Sequence, residues 1–293
     1  MAVAILCFDI GGTSIKHGLY SQEGQLIASY PSVPTNADQQ GIIQTVQELI
    51  RTVKGFSDIE GIAISSAGVI DSDRGSVIYS GYTIPNYTGT AFKDVLESEF
   101  GVPCEVENDV NAACLAELWR GAGQGYRSIV CLTIGTGVGG AVMIDGQLVK
   151  GVGLTAGEVG YMSVGDHYFQ DVASTTFLVN RANQLSEQSV NDGREVFEWA
   201  KKADGGCVQA IAELVDHLAS GLVNIIYLLN PEIIILGGGI MSQKSYLNDK
   251  LVESVSEKLI SPLFDKSIIT FAENQNNAGM LGALYHFNQR HSR

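Results

Sequence analysis

The sequence predicts an α/β fold with two lobes facing a shared cleft, on three observations. Strand-like apolar runs alternate with segments of helical periodicity along all 293 residues. One layout occurs twice: FDIGGTSIKHGLYSQEGQLI and LTIGTGVGGAVMIDGQLV each carry an apolar strand, a glycine turn, a second strand, another turn, then Gly-Gln-Leu and a β-branched residue. Glycine is the one excess, 34 residues, and it clusters at a few turns. In the repeat Ile10 matches Ile134, and Gly24-Gln25-Leu26 matches Gly146-Gln147-Leu148. A duplicated unit explains this, with each lobe offering one glycine turn; chance similarity of two hairpins is the competing explanation. The boundary falls near residues 115–125, where ELWRGAGQGYR breaks the pattern.

Taken in order, VAILCFDI, SIKHGLY and QLIASYP read as three strands with tight turns, and helical periodicity follows from Asp38 to Lys54. GIAISSAGV is a short strand ending in small residues. A turn-rich stretch from Tyr79 to Thr90 leads to a helix over Phe92–Phe100, a strand CEVEND and a helix NAACLAELWRGA. The second strand cluster is SIVCLTIGTG, GGAVMID and GQLVKG. Helices are expected over Asp171–Gln184, Arg194–Ala203 and Val208–Leu229, then a strand EIIILGGG, a helix Tyr246–Ile260, a strand SIITFAE and a last helix Met280–Arg290.

Composition narrows the function. Hydrophobic residues make up 45% and charged residues 17%, which argues for an ordered core. The formal net charge of −14 repels phosphate backbones and anionic lipid, so neither nucleic acid nor membrane is an expected partner. No run of 18 or more apolar residues lacks charges, so no transmembrane helix is expected. MAVAILCFDIGGT has no basic leader segment and reads as a first strand. Five cysteines, an odd number without a CxxC, read as reduced core thiols and a cytoplasmic location. The five histidines show no metal-ligand spacing.

The glycine turns carry the chemistry. In DIGGT, Gly11 and Gly12 allow a turn too tight for a Cβ, so that backbone N–H groups point at an anion, and Thr13 adds a hydroxyl. Asp9 cannot meet phosphate directly, because like charges repel; beside phosphates it fits a holder of Mg²⁺ through water. A plain hairpin with a surface acid has the same appearance. IGTGVGG holds more glycines than a hairpin needs, and Gly135, Thr136 and Gly137 can donate to phosphate oxygens. It is neither a Rossmann fingerprint, since a strand follows, nor a Walker A loop. In ILGGGI, Gly237, Gly238 and Gly239 give a flat backbone for a planar base, and NNAGMLG, with Gly279, supplies another wall of small residues; close helix–sheet packing is the alternative. In ENDVNAA, Asn108 and Asp109 stand where a strand ends, the usual ligand side of an α/β sheet. Asp109 suits a proton acceptor for a substrate hydroxyl, or a helix N-cap, or both. Glu158, in the glycine bed GLTAGEVGYM, suits a holder of sugar hydroxyls, or a solvated loop acid.

Together DIGGTSIK, GIAISSAGVID, ENDVNAACLAE, LTIGTGVGG, GLTAGEVGYM, IIILGGG and NNAGMLGA resemble, in order and over essentially the whole chain, the ROK family of sugar kinases. The resemblance implies two ribonuclease-H-like lobes of the sugar kinase/Hsp70/actin superfamily around a central cleft, spanning 1–118 and 119–279, with the helix at 280–293 packing back on the first. It implies ATP with Mg²⁺ as phosphoryl donor and a hexose 6-hydroxyl as acceptor. DIGGT and GTG match the phosphate turns, GGG the adenosine wall, and Asp109 the catalytic base. Asn108, Glu158 and Gly68 match sugar contacts. Many members are homodimers.

Three departures matter. Tyr161 stands where most members have a His, and YFQDVASTTFLV has no cysteine, so no structural zinc is expected. Gln170 aligns with a family Glu that touches the sugar, and Thr83 with a family Asn. These changes resemble the zinc-free subset and leave room for a substituent near the anomeric carbon. They point to a β-glucoside such as cellobiose, with N-acetylmannosamine and glucose as alternatives. A sugar-sensing regulator is the rival reading; it places a helix-turn-helix before DIGGT, whereas only eight residues precede Asp9 here. An actin- or Hsp70-like ATPase with no sugar site is the second.

Overall fold

Strand β1 (Ala4–Ile10) runs antiparallel to β2 (Ser14–Ser21), which continues to β3 (Leu26–Ser29) and β4 (Val33–Pro34). This is a computed structural model, and it describes residues 4–35, 39–55, 57–81, 84 and 86–291. The chain next forms α1 (Gln39–Lys54), β5 (Gly61–Ser66), the hairpin β6 (Val69–Asp71) and β7 (Ser76–Tyr79), α2 (Phe92–Phe100), β8 (Cys104–Asn108) and α3 (Asp109–Arg120). The sheet order is β3-β2-β1-β5-β8, with β1, β5 and β8 parallel.

The second half repeats this plan. It contains β9 (Ile129–Ile134), β10 (Val138–Ile144), β11 (Gln147–Leu148), the hairpin β12 (Ser163–Val164) and β13 (His167–Tyr168), then α4 (Phe169–Ala173), α5 (Thr175–Leu185), α6 (Gly193–Lys201) and α7 (Gly205–Leu229). Then come β14 (Ile233–Gly237), α8 (Lys244–Lys258), β15 (Ile268–Phe271) and α9 (Ala278–His291). Its sheet order, β11-β10-β9-β14-β15, has the same two antiparallel pairings followed by two parallel ones. Ile10 and Ile134 each end the first strand of a sheet, and Gly24 and Gly146 turn at φ 80° and 79°. The two hairpins therefore belong to a duplicated unit. The first compact unit comprises residues 1–121, 151–155 and 276–293, and the second comprises 122–150 and 156–275.

In the first unit, strand alternation sorts the side chains. Leu6, Phe8, Ile10, Ile62, Ile64 and Val106 pack with Ile42, Val46 and Ile50 of α1 and Leu96 of α2. Ile5, Cys7 and Ala63 face the other way, against Met280, Leu284 and Phe287 of α9. The same period puts Asp9, Ser65, Glu105 and Glu107 on the α9 side of the sheet. His17 is buried between the rings of Phe8 and Tyr30, and burial lowers its pKa. All five cysteines are buried and free, and burial pushes the thiols of Cys7 and Cys104 up.

In the second unit α7 is the central helix. Asp204 caps it by accepting from the Cys207 N–H, and Asn230 ends it in the left-handed region at φ 42°. Among the described residues it alone is long and apolar enough to cross a membrane; the sequence reading expected no such helix. Its Leu214, Leu218, Leu222 and Ile226 are instead buried in this unit's core. The single helix expected over Asp171–Gln184 is two. Ser174 interrupts it at φ −99°, ψ 168°, and its hydroxyl accepts from the Phe177 N–H to start α5 afresh. The freed N–H of Thr175 goes to the Gly135 carbonyl at 2.8 Å.

Candidate functional site

Asp9 lies one residue from the end of β1, in register with Lys16 of β2 and Ser65 of β5. Ser65 Oγ donates to Asp9 Oδ1 at 3.1 Å, and Lys16 Nζ stands 3.4 Å from Oδ2. A Cβ on Gly279 would come within 2.5 Å of Oδ1 and 2.9 Å of Ser65 Oγ. Gly279 therefore lets the first turn of α9 close on the carboxylate. A second α9 glycine, Gly282, touches α3: a Cβ there would sit 1.7 Å from the Ala112 carbonyl oxygen. Close packing, the alternative reading of NNAGMLG, accounts for both of its glycines.

The DIGGT turn is pinned by the Gly11 N–H donating to the Ser14 carbonyl at 3.0 Å and by Thr35 Oγ1 donating to the Gly11 carbonyl at 2.7 Å. Neither Gly11 nor Gly12 has a positive φ, and a Cβ on Gly11 would meet only the Ser14 carbonyl at 3.5 Å. At Gly11 the turn is not too tight for a side chain, contrary to the expectation. Glycine at position 11 leaves open space over a backbone whose next two residues, Gly12 and Thr13, are exposed.

The β8–α3 junction is built around Asn108. Its Oδ1 accepts from the N–H groups of Val110 and Asn111, at 2.9 and 3.0 Å, so Asn108 is the helix cap. Asp109 is the first helical residue, which corrects the cap reading for it. The Asn108 amide donates to the Gly68 carbonyl at 2.9 Å and to Asp109 Oδ1 at 3.0 Å. All four hydrogen-bonding capacities of this amide are engaged within the protein. Asp109 Oδ1 also accepts from the Val110 N–H at 3.0 Å. Gly68, at φ 98°, turns here because a Cβ would lie 2.8 Å from the Tyr79 carbonyl oxygen.

Below the junction, buried Glu107 accepts from the Asn108 N–H at 2.9 Å, Asn111 Nδ2 at 3.1 Å and Ser72 Oγ at 3.0 Å, and His286 Nδ1 of α9 faces it at 3.8 Å. Fully buried Tyr87 shares a 2.8 Å hydrogen bond with Ser66 Oγ at the end of β5. Burial pushes its phenol well above the usual range, and the charge of nearby Asp109 adds to that. Sequence reasoning missed Lys16, Ser65, Ser66, Tyr87, Glu107 and His286. The alternation of Glu105 and Glu107 along β8, and two serines closing an apolar strand, were the available signals.

In the second unit the IGTGVGG turn closes with the Gly135 N–H donating to the Gly137 carbonyl at 2.9 Å. Thr176 Oγ1 donates to the Thr136 carbonyl at 2.8 Å, so the start of α5 steadies the turn. A Cβ on Gly135 would meet nothing within 4 Å, while one on Gly137 would stand 3.0 Å from Gln170 Oε1. Gln170 thus lies against this turn. In ILGGGI the three glycines differ. Gly237 ends β14, Gly238 has φ 107° with the Ile134 carbonyl 2.1 Å from any Cβ, and Gly239 opens onto free space.

Glu158 precedes a short 3-10 turn, Val159–Tyr161, and the Tyr161 N–H donates back to its carbonyl at 3.3 Å. Its side chain reaches solvent, yet desolvation by its surroundings raises its carboxyl pKa. Tyr161 is exposed. Thr83 lies outside the described residues.

The family whose pattern matches is described as the ROK family, over residues 5–290. A β-glucoside kinase of Listeria monocytogenes is 32% identical over 299 residues, with 99% of each chain covered. The solved structure of a ROK family protein from Streptococcus pneumoniae TIGR4, in complex with sucrose, superposes with a TM-score of 0.86 at 28% identity, covering 98% of this chain and 99% of that one. A ROK family glucokinase from Streptomyces griseus, in complex with glucose and AMPPNP, gives 0.82 at 28% identity, covering 96% and 98%. With the repeated α/β unit, the steadied glycine turns and the oriented carboxylate at the end of β8, these matches make the chain a member of the ROK family, as one of its sugar kinases.

Proposed function

We propose that the protein transfers the γ-phosphoryl group of ATP to the 6-hydroxyl of a hexose carried as a β-glucoside, such as cellobiose. The observation that carries the mechanism is the fixed carboxylate of Asp109. Two donors hold Oδ1, from Val110 and from an Asn108 amide that has no other freedom. A base held this way aligns the attacking hydroxyl and accepts its proton late in an in-line transfer. Asn108 acts chiefly by holding Asp109, and a sugar hydroxyl engages it only by replacing one of those bonds. Gly68 shapes the same corner through its carbonyl, and Thr83 is proposed as a further sugar contact.

The first lobe offers phosphate the amides of Gly11, Gly12 and Thr13, and the second offers those of Gly135, Thr136 and Gly137. Gly239, backed by Gly237 and Gly238, is the surface for the adenine ring, and Gly279 keeps α9 close to Asp9. Asp9 fits Mg²⁺, since one carboxylate with substrate phosphates and water is a common ligand set for that ion. When bound, the ion supplies neutralisation of phosphate charge. Glu158, ionised, accepts from sugar hydroxyls, and Tyr161 and Gln170 border the same segment.

The β-glucoside relative at 32% identity and the exposed Tyr161 support the β-linked acceptor. Glucose and N-acetylmannosamine are the alternatives. The net charge of −14 favours a small-molecule partner over nucleic acid or membrane, Tyr161 and the cysteine-free YFQDVASTTFLV favour an enzyme without structural zinc, and five cysteines read as reduced favour a cytoplasmic location. A homodimer is the proposed assembly. Exposed Leu228, Ile260 and Leu263 support it, gathered where Tyr227 hydroxyl accepts from the Ile260 N–H. A coupled ADP-release assay over glucose, mannose, N-acetylated hexosamines, cellobiose and aryl β-glucosides, with the product identified by mass, tests the reaction. A 6-phosphorylated β-glucoside is expected. ADP release without a phosphorylated sugar would refute it.

A further inference from the structure

Two large aromatic side chains of the second unit stay in solvent, one on the turn that follows Glu158 and one on the hairpin after it. Tyr161 is 61% exposed and Tyr168 is 54% exposed. Their rings meet edge to face, with centroids 6.1 Å apart and planes at 84°. Tyr161 closes the 3-10 turn Val159–Tyr161, which Glu158 precedes, and its N–H donates to the Glu158 carbonyl at 3.3 Å. That bond keeps Tyr161 and Glu158 on one turn of the backbone. Tyr168 comes from the neighbouring hairpin, where it pairs with Ser163, and it starts α4, the helix that carries Gln170.

The result is a right-angled aromatic corner whose first ring stands one turn along the chain from the Glu158 carboxylate, which its surroundings desolvate. Exposed rings of this size gain by covering a flat apolar face. A hexose in its all-equatorial form, an aryl ring and a glucosyl ring each present one. We propose that Tyr161 and Tyr168 form the subsite for the ring linked to the acceptor hexose, the aglycone of a β-glucoside, while Glu158 holds hydroxyls of the hexose itself. This rests on the sugar-holding role given to Glu158 above. The aglycone stacks on one tyrosine and meets the edge of the other, so selectivity for β-glucosides over free glucose comes from this corner.

Steady-state kinetics on the whole enzyme test it, with phenyl β-glucoside, cellobiose, methyl β-glucoside and glucose as acceptors. The wild-type enzyme is expected to favour phenyl β-glucoside and cellobiose in kcat/KM. Tyr168→Ala, and Tyr168→Thr as a strand-compatible second variant, are expected to shrink that preference by about threefold to tenfold, the usual range for one aromatic contact. Tyr168→Phe is expected to keep it. If the wild-type enzyme shows the preference and neither truncation moves the ratio, or if both truncations lower all acceptors alike, the subsite is refuted. If the wild-type enzyme phosphorylates glucose but no β-glucoside, the substrate reading itself falls and takes the subsite with it.

Discussion

Two adjacent glycines make opposite predictions. Gly238 has φ 107° and ψ 165°, a region open essentially to glycine alone, and its missing Cβ would sit 2.1 Å from the Ile134 carbonyl oxygen and 2.6 Å from the carbonyl carbon. Gly238→Ala meets a backbone cost of about 1–3 kcal/mol and a packing cost of about 1–3 kcal/mol. The obstacle is main chain, which cannot swing away. A midpoint of about 4 kcal/mol lowers the melting temperature by roughly 8–16 °C for a chain of this size. Gly239 is free of both constraints: its φ is not positive, and nothing stands within 4 Å. Gly239→Ala should leave stability unchanged or raise it by about 0.4–1 kcal/mol. Its open face is instead the surface assigned to adenine, so the added methyl should raise the KM for ATP by roughly tenfold or more. Thermal melts and ATP titrations of the two variants separate the roles. Wild-type melting of Gly238→Ala would refute the packing argument, and wild-type ATP affinity of Gly239→Ala would refute the nucleotide assignment.

Further outcomes follow from the same geometry. Gly282→Ala drives a methyl into the Ala112 carbonyl. An overpacking cost of about 3 kcal/mol, less a gain of about 1 kcal/mol in helix propensity, predicts a net loss near 2 kcal/mol by denaturant titration; an unchanged midpoint would contradict it. The Glu158 carboxyl is raised above its ordinary 4.5 by desolvation. In the proposed sugar-holding role the ionised form accepts from hydroxyls, so kcat/KM for the sugar should fall as pH drops through a value above 4.5, and Glu158→Gln should remove that limb while weakening sugar binding. The same raised pKa means the folded protein without sugar gains from this group at low pH and loses that gain as pH rises through it. A pH profile of Glu158→Gln that keeps the wild-type acid limb would assign the limb elsewhere.

Much of the fold was legible because it follows from periodicity. The strand-and-turn layout repeated at FDIGGT and LTIGTG is the repeat seen in the two sheets, down to the positive-φ glycines at 24 and 146. Single residues whose effect is tertiary were not legible. Ser174 breaks a helix that local pattern continues, because Thr175 is drawn to the Gly135 carbonyl. The reason for each glycine was hidden as well. Gly11 is not forced by its turn, Gly279 and Gly282 answer to neighbours far along the chain, and Gly239 answers to no protein atom. At the β8–α3 junction the sequence offered Asp109 as a possible cap; the bonds of the Val110 and Asn111 N–H groups to Asn108 Oδ1 give that place to Asn108, whose amide is also tied to the Gly68 carbonyl. The buried Tyr87 beneath it carries no local signature at all.

The account turns on whether Asp109 receives the proton of the attacking hydroxyl. Single-turnover phosphorylation by Asp109→Asn, with sugar and ATP binding measured separately, is the most direct test. The isosteric amide keeps the shape of the junction and removes the acceptor, so phosphoryl transfer should slow by roughly 10²–10⁴ while both ligands still bind. Transfer at nearly the wild-type rate would contradict the account.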